Sequence, residues 1–575
     1  MQVPLFPSEA LQRAKRRIEP PDFLLPGAVL LAAIPLLYMA ATQFIEYDGY
    51  CYIFGAGQDH WHKMIEWYRQ DPHPPLYYFF LRAALHLGRS YLVYRAVSVL
   101  AGLATIYLVG RAASKAMRSR LAPALTALTF GLAVPTLVVS TEVRAYMLCT
   151  FFILLSYSAF LDVLAREEVA GSLRSRIVFV TAAALACQTD YYAFFYVLAV
   201  LAVSLVLDMR RSSAARWRAV GWDAAMFAPV LGGMTWQYFS HLQKHAGIQL
   251  HLINFYYRAA DRSESLGEYL LRGLRSDFGL FCGLRNDFNV LSPWPGSSGP
   301  LFLAILAGLV VAAGIALWLV RRVAEPVNRT AMATLLATGV MLAQLMVAGV
   351  LDKYPFGGLL RQQFLLFPFL VLCVFLVLDR LSGSIPLRAR YVLTALLFAA
   401  ILGVSYLEFD AYPKVKGPYL FADEMERFNH LFPSPGAVYL DRYNLTAFFI
   451  YHDDWKWKFD RGVDSAPDVD IYRVSRGTDH LLVFRDKGRW VAECLDPTLY
   501  RDLAACLRSR RLPSIILFRV AQNRDSWGTA EQNAYRQSIS QVAASQGLCV
   551  ENLLFHNRDV YEELRAGGCT APPER

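Results

Sequence analysis

Phe23-Leu24-Leu25-Pro26-Gly27-Ala28-Val29-Leu30-Leu31-Ala32-Ala33-Ile34-Pro35-Leu36-Leu37-Tyr38-Met39-Ala40-Ala41-Thr42-Gln43-Phe44 carries no charged residue and runs into Ile45-Glu46-Tyr47-Asp48-Gly49-Tyr50. At a rise of ~1.5 Å per residue the apolar run reaches roughly 33 Å as a helix, matching a bilayer hydrocarbon core of about 30 Å. Arg13, Lys15, Arg16 and Arg17 precede it in the manner of a signal-peptide n-region. The run is too long for an h-region, however, and no small-residue cleavage site follows before the carboxylates. It reads as a retained first transmembrane helix, and it sets Glu46 and Asp48 at a membrane surface.

Further apolar blocks follow at about 91–110, 121–139, 145–165, 177–187, 191–208, 219–238, 300–320, 331–351, 362–379 and 390–407. Residues 45–90 hold too many His, Asp and Trp side chains to span. Gln188-Thr189-Asp190 breaks one long apolar stretch into the fifth and sixth spans, as a tight hairpin. The whole chain is 55% hydrophobic and 14% aromatic, where soluble proteins run about 45–50% apolar by a count that also includes glycine. The expectation is an α-helical polytopic membrane protein with about eleven transmembrane helices. The net charge of +10 and pI near 9.1 do not signal nucleic acid, because Arg and Lys lie mostly between apolar blocks.

That placement sets the orientation. Every second connection is basic: the N-terminus; Arg111, Lys115, Arg118 and Arg120; Arg166, Arg174 and Arg176; Arg210, Arg211, Arg216 and Arg218; Arg321, Arg322 and Arg329; Arg388 and Arg390. By the positive-inside rule these face the cytoplasm. The intervening loops and the whole tail after Tyr406 then face the exterior or periplasm, in a plasma or inner membrane. The chain divides into a cytoplasmic N-terminus (1–22), a transmembrane module (23–407, first outer loop 45–90) and an extracytoplasmic tail (408–575). In the tail, Ala437–Leu440, Leu481–Phe484 and Ser514–Phe518 read as strands, alternating with helical patterns at Thr498–Leu507 and Glu531–Gln546. Strands alternating with helices predict a small α/β domain outside the membrane.

Of nine cysteines, Cys149, Cys187 and Cys373 fall in or beside apolar spans and act as small hydrophobes. Cys51 and Cys282 lie in separate outer loops. Cys494, Cys506, Cys549 and Cys569 lie in the tail, where disulfides persist. Four cysteines allow three pairings; proximity favours Cys494–Cys506 with Cys549–Cys569. No spacing reads as a zinc site.

Six groups of polar residues fall on the predicted outer face. Asp48 and Glu46 are candidates for a general base, held in an aromatic loop that continues into an amphipathic stretch, Gln58 to Tyr68. Such a stretch lies in the interface and partly desolvates a neighbouring carboxylate, raising its basicity. The alternative is a solvated loop acid. His73-Pro74-Pro75-Leu76-Tyr77-Tyr78 opens a helix through Leu87 with Pro75 in its first turn, and puts His73 where a phosphate is favoured. Glu142 and Arg144 interrupt an otherwise apolar hairpin, within Ser140-Thr141-Glu142-Val143-Arg144-Ala145-Tyr146. Lys353 precedes Arg361, which heads an apolar helix against the macrodipole preference and so calls for an anionic partner. Asp190 and Tyr191 share that face, as does a loop with His241, Lys244, His245 and His251 that lacks clean metal spacing. One-sidedness argues for an enzyme over a transporter or flippase of a lipid-linked glycan, whose ionisable residues gather near the midplane.

An acid just after the first helix, His-Pro-Pro-Leu-Tyr-Tyr at 73–78, Glu-x-Arg-x-Tyr at 142–146 and Arg361 followed by Phe-Pro-Phe at 367–369 resemble the GT-C superfamily of glycosyltransferases. The resemblance covers about residues 24–407 and points to the family 39, protein O-mannosyltransferase and lipid A aminoarabinose transferase branch. It implies transfer of a sugar, with inversion, from a polyprenyl-phosphate donor to an acceptor hydroxyl. Asp48 would be the base, with Glu46 a rival because Gly49 stands where the family carries a second acid. Arg361, Arg144 and His73 would bind phosphate, with Tyr77, Glu142, Asp190, Tyr191 and Lys353 around the substrates. Some relatives use a divalent metal ion and others none.

Overall fold

A computed structural model describes residues 23–42, 45, 47–58, 60–71, 73–88, 90–165, 173–209, 213–243, 265–278, 280, 326–357, 360–382, 437–441, 480–486, 489–494, 499–511, 514–520, 529–556 and 559–567, with scattered positions between 392 and 406. The chain separates into two compact units. One comprises residues 1–42, 72–80 and 90–418, the other 43–71, 81–89 and 419–575.

The first unit is helical. It contains α1 (Leu24–Thr42), then, after α2 (Tyr47–Ala56) and α3 (Trp61–Gln70) of the other unit, the opening of α4 (Leu76–Leu85). There follow α5 (Tyr91–Ala116), α6 (Ala122–Leu132), α7 (Val134–Thr141), α8 (Ala145–Ala165), α9 (Leu173–Cys187), α10 (Ala193–Asp208) and α11 (Ser213–Gln237). A π-helical turn, Tyr238–Leu242, extends α11; then come α12 (Leu266–Phe278), α13 (Pro326–Val350), α14 (Leu360–Gln363) and α15 (Phe367–Ser382). Among the described residues four helices are long and apolar enough to cross a membrane, or five if α6 and α7 are one bent span. The block expected at 300–320 lies outside the described residues.

Two of the expected spans are interrupted. The third breaks by 62° between α6 and α7, at Ala133 in an extended conformation. Pro135 explains the break, since it has no N–H for the preceding turn and its ring crowds the carbonyl of residue 131. The tenth does not start at Arg361. Arg361 sits on the single turn α14, and the long helix restarts at Phe367-Pro368, again with proline at a position that needs no N–H.

Small residues let these helices approach. A Cβ at Gly102 of α5 would lie 2.5 Å from the Ser140 hydroxyl of α7, so only glycine fits that crossing. Some buried polar side chains pair across helices, as Tyr157 Oη to Thr334 Oγ1 at 2.7 Å. Leu30, Ile34, Trp217 and Trp236 point outward, as expected where lipid replaces water. At the end of α8 remote from residue 145, Lys115 Nζ meets Asp162 at 2.8 Å. Seventeen residues of helix put that pair about 26 Å from Ala145, close to a bilayer core thickness.

The second unit holds α2, α3 and the end of α4, together with a six-stranded sheet: β1 (Ala437–Asp441), β2 (His480–Asp486), β3 (Arg489–Cys494), β4 (Ile515–Val520), β5 (Leu548–His556) and β6 (Asp559–Ala566). The order is β3-β2-β1-β4-β6-β5. Among the described residues only β1 and β4 pair in parallel, which needs the crossover that includes α16 (Leu499–Arg510); α17 (Thr529–Ser545) joins β4 to β5. Leu503 and Leu507 of α16, Ile539 and Ala543 of α17, and Leu548 and Leu564 of the sheet are buried, each helix pair at the i, i+4 spacing of one apolar stripe. Cys549 is disulfide-bonded. The expected partner Cys569 and the side chains of Cys494 and Cys506 lie outside the described residues.

Candidate active site

α7 stops at Thr141 because Glu142 turns extended, with φ −69° and ψ 139°. α8 restarts at Ala145, so Glu142-Val143-Arg144 forms a three-residue turn between two helices. All three residues are buried. A buried carboxylate and guanidinium are tolerated only where other groups answer their charge.

The turn delivers Arg144 to an aromatic and histidine cluster. Arg144 Nη1 donates to Tyr146 Oη at 3.4 Å, and the guanidinium carbon lies 5.8 Å from the Tyr146 ring centre. Tyr146 Oη is in turn 3.4 Å from His73 Nε2, with the two rings edge to face at 6.0 Å. On its other side Tyr146 stacks on Tyr192 at 6.1 Å. The Tyr192 hydroxyl donates to the Tyr146 carbonyl at 2.6 Å, and the Tyr192 amide donates to Asp190 Oδ1 at 3.1 Å. The hairpin after α9 is thereby tied to the start of α8. It is also tied to the His-Pro-Pro segment, because the Leu76 amide donates to the Gln188 carbonyl at 3.2 Å.

Tyr77 is fully buried, its hydroxyl 3.0 Å from Ser98 Oγ. Burial pushes this phenol far above its ordinary range; the bond to Ser98 opposes the shift and the nearby Glu142 charge adds to it. Tyr77 is therefore a neutral hydroxyl beside Glu142 at any physiological pH. Tyr191 Oη meets His241 Nδ1 at 2.5 Å, and His241 stands on the π-helical turn, a local geometry common at functional sites. Lys244, His245 and His251 lie outside the described residues.

Lys353 is exposed and Arg361 half-buried, flanking a turn with positive φ at Asp352 (57°) and Gly357 (67°). Tyr354 Oη donates to the Gln362 carbonyl at 2.9 Å, and Gln363 Nε2 donates to the Pro355 carbonyl at 2.6 Å. These two bonds fold the turn back on α14. Asp48 stands on α2, but its side chain and all of Glu46 lie outside the described residues. α2 itself is held at its C-terminal end by Arg82, whose Nη1 donates to the carbonyls of Ala56 at 3.1 Å and Gln58 at 2.5 Å. The Arg82 guanidinium also covers the Trp61 ring at 4.6 Å.

The structure thus brings His73, Tyr77, Glu142, Arg144 and Asp190 into one connected region, with Tyr191 beside it in sequence. Sequence reasoning passed over Ser98 and Arg82, and named Tyr192 only as the last residue of Asp190-Tyr191-Tyr192. The two hydroxyls give no signal beyond composition, whereas Arg82 stood on the helix after His-Pro-Pro as an unexplained cation. Among the described residues no group of three or more His, Cys, Asp and Glu side chains is placed to hold a metal ion.

No protein-family model matches the chain, and no curated protein sequence matches it. Solved structures do. ArnT from Cupriavidus metallidurans in the apo state aligns over 93% of this chain and 97% of its own, with a TM-score of 0.51 and 13% identity. ArnT bound to undecaprenyl phosphate aligns over the same shares with a TM-score of 0.49 and 14% identity. The Archaeoglobus fulgidus oligosaccharyltransferase in complex with zinc and sulfate aligns over 85% of this chain and 67% of its own, with a TM-score of 0.44 and 12% identity. The likeness to apo ArnT rests on architecture rather than sequence: the chain is a multi-pass integral membrane protein that shares the fold of that structure.

Proposed function

We propose that the chain is a membrane glycosyltransferase that moves a sugar from a polyprenyl-phosphate donor to an acceptor hydroxyl at the outer membrane face. The observation that carries the reading is the buried Glu142–Arg144 turn. It presents Arg144 to Tyr146 and His73 in a single chain of polar contacts, within the GT-C fold. ArnT, which shares that fold, binds undecaprenyl phosphate, and a phosphate monoester or diester is what a cation, an imidazole and a phenol at one buried place would suit.

The chemistry follows. Asp48, or Glu46 two residues before it, takes the proton from the acceptor hydroxyl. The acceptor oxygen attacks the anomeric carbon, and the bond from that carbon to the phosphate oxygen breaks with inversion. The departing polyprenyl phosphate needs charge stabilisation rather than protonation. Arg144 and His73 supply it, Arg361 adds a second cation, and Tyr146 keeps the first two in place. Inversion then requires only one carboxylate, on the acceptor side, unlike the two of a glycosidase. In this reading the N-terminus is cytoplasmic, the module 23–407 holds about eleven spans and the catalytic residues, and the domain 408–575 lies outside.

Release of labelled sugar from a panel of polyprenyl-phosphate sugars, with full-length protein in lipid nanodiscs, tests the reading. Wild-type protein is expected to turn over at least one donor. Asp48→Asn is expected to lose a factor of about 100 or more, the usual contribution of a general base. Loss in Glu46→Gln instead moves the base to Glu46. Neither binding nor turnover with any polyprenyl donor refutes the transferase and returns the choice to a transporter.

A further inference from the structure

α5 carries an arginine inside the apolar span that the reaction outlined above does not use. Arg95 stands four residues into the helix, about 6 Å from its first residue along the axis, and is 1% exposed. Its Nε donates to the Thr141 carbonyl at 2.7 Å and its Nη1 to the Ala40 carbonyl at 2.7 Å. Thr141 is the last residue of α7 and Ala40 lies in the last turn of α1. Both carbonyls belong to helix C-termini, which lack intrahelical donors and carry partial negative charge. One guanidinium answering two such ends explains how an arginine is accommodated at this depth.

Ser98, one turn further along the same face of α5, reaches the other side of the same turn. Its Oγ donates to the Arg144 carbonyl at 3.4 Å and meets Tyr77 Oη at 3.0 Å. The carbonyls on the two flanks of Glu142-Val143 are therefore both gripped from α5. Arg95 adds a link to α1, the helix from which the chain runs on to Glu46 and Asp48.

We propose that Arg95 is a positioning residue: by joining the C-terminal carbonyls of α1 and α7 it fixes the Glu142–Arg144 turn in the register that phosphate binding requires. This rests on the transferase reading for the ligand, but not for the geometry. Lysine keeps the charge yet is a single point donor without the planar fork, and cannot reproduce two bonds in fixed directions.

The test uses full-length protein in nanodiscs, with Arg95→Lys, Ser98→Ala and, as a control, Lys115→Met at the opposite end of α5. Hydrogen exchange at amides 142–146 and the Kd for undecaprenyl phosphate are measured. Arg95→Lys is expected to speed exchange at those amides and raise Kd about tenfold, since a displaced cation loses about one charge-assisted bond. Ser98→Ala is expected to do the same at about twofold, and serves where Arg95→Lys does not insert. Lys115→Met lowers thermal stability with Kd unchanged. Unaltered exchange at 142–146 in Arg95→Lys and Ser98→Ala overturns the proposal whatever the ligand result. So does an unaltered Kd, or an equal rise in Lys115→Met, which marks general loosening. Wild-type protein that does not bind undecaprenyl phosphate refutes the functional reading alone, and the exchange measurement still decides the geometry.

Discussion

Replacing Tyr146 by phenylalanine separates the two things this side chain does. The ring keeps its edge-to-face contact with His73 at 6.0 Å and its stack on Tyr192 at 6.1 Å. Only the hydroxyl is lost, and with it the contacts to Arg144 Nη1 and His73 Nε2, both at 3.4 Å. Those distances exceed the ~2.7–3.2 Å of good bonds, so each is worth less than the roughly 1.5–3 kcal/mol of a well-made bond to a charged group. Taking about 0.5–1 kcal/mol for each gives about 1–2 kcal/mol in all. If all of it appears in the transition state, kcat/KM falls by a factor of about 5 to 30. Turnover of a polyprenyl-phosphate sugar in nanodiscs, with the melting temperature taken alongside, reads the effect. A change below about twofold would mean that the hydroxyl holds neither group, and the cradle reasoning fails. A loss above about a thousandfold would mean that it touches the reacting atoms, since positioning through two long bonds cannot supply so much.

The other predictions concern elements around the site. At the start of α12, Glu268 accepts from the Ser265 amide and hydroxyl, each at 2.8 Å, while Ser265 Oγ accepts from the Glu268 amide at 3.2 Å, a reciprocal capping box. The Ser265 backbone amide, then its hydroxyl, hold the Glu268 carboxyl below its ordinary 4.5. A carboxylate depressed in the folded state contributes stability above its unfolded pKa and loses it as pH falls through the folded value. Exchange of the Ser265 amide should therefore gain protection above pH ~4.5 relative to acid, and Glu268→Gln should remove that dependence. Gly273 of α12 packs against the Phe356 ring so closely that any Cβ would collide with it. Gly273→Ala is expected to cost about 1–3 kcal/mol by overpacking, seen as a lower melting temperature with greater exchange in residues 352–357. An unchanged melting temperature would show that the turn beside Lys353 and Arg361 yields freely.

How much of this was legible beforehand depends on what each feature leaves in the sequence. Helices near the expected spans are found at 24–42, 91–116, 145–165 and 193–208 because lipid makes a single demand, an unbroken apolar length with its backbone satisfied internally. Three of the six strands in the tail follow the same logic of local pattern, with Ile515–Val520 one residue from where β-branched residues cluster, whereas Arg489–Cys494, Leu548–His556 and Asp559–Ala566 were not read from the sequence. The bends at Ala133 and before Phe367 also had a written signal, Pro135 and Pro368. It was outweighed by hydropathy, which counts proline as harmless inside a span. His73 and Arg144 were legible because charged and titratable groups beside apolar helices must be answered by something.

Their supports were not legible, and the reason is physical. Arg95, Arg82, Ser98 and Tyr192 each donate to a backbone carbonyl. Every residue has a carbonyl, so such an acceptor leaves no mark of residue type. Arg95 nonetheless had one readable feature: an arginine five residues into an apolar block is costly in lipid and needs a stated partner. The partners are helix C-termini created by the breaks at Glu142 and after Thr42, and those ends exist only once the chain has folded. The charged residue and the helix ends are thus each half of one device. A helix that stops short near the membrane surface exposes unpaired carbonyls, an arginine from the neighbouring helix satisfies two ends together, and the turn between α7 and α8 becomes rigid enough to hold a second buried arginine against its own tendency to reach water.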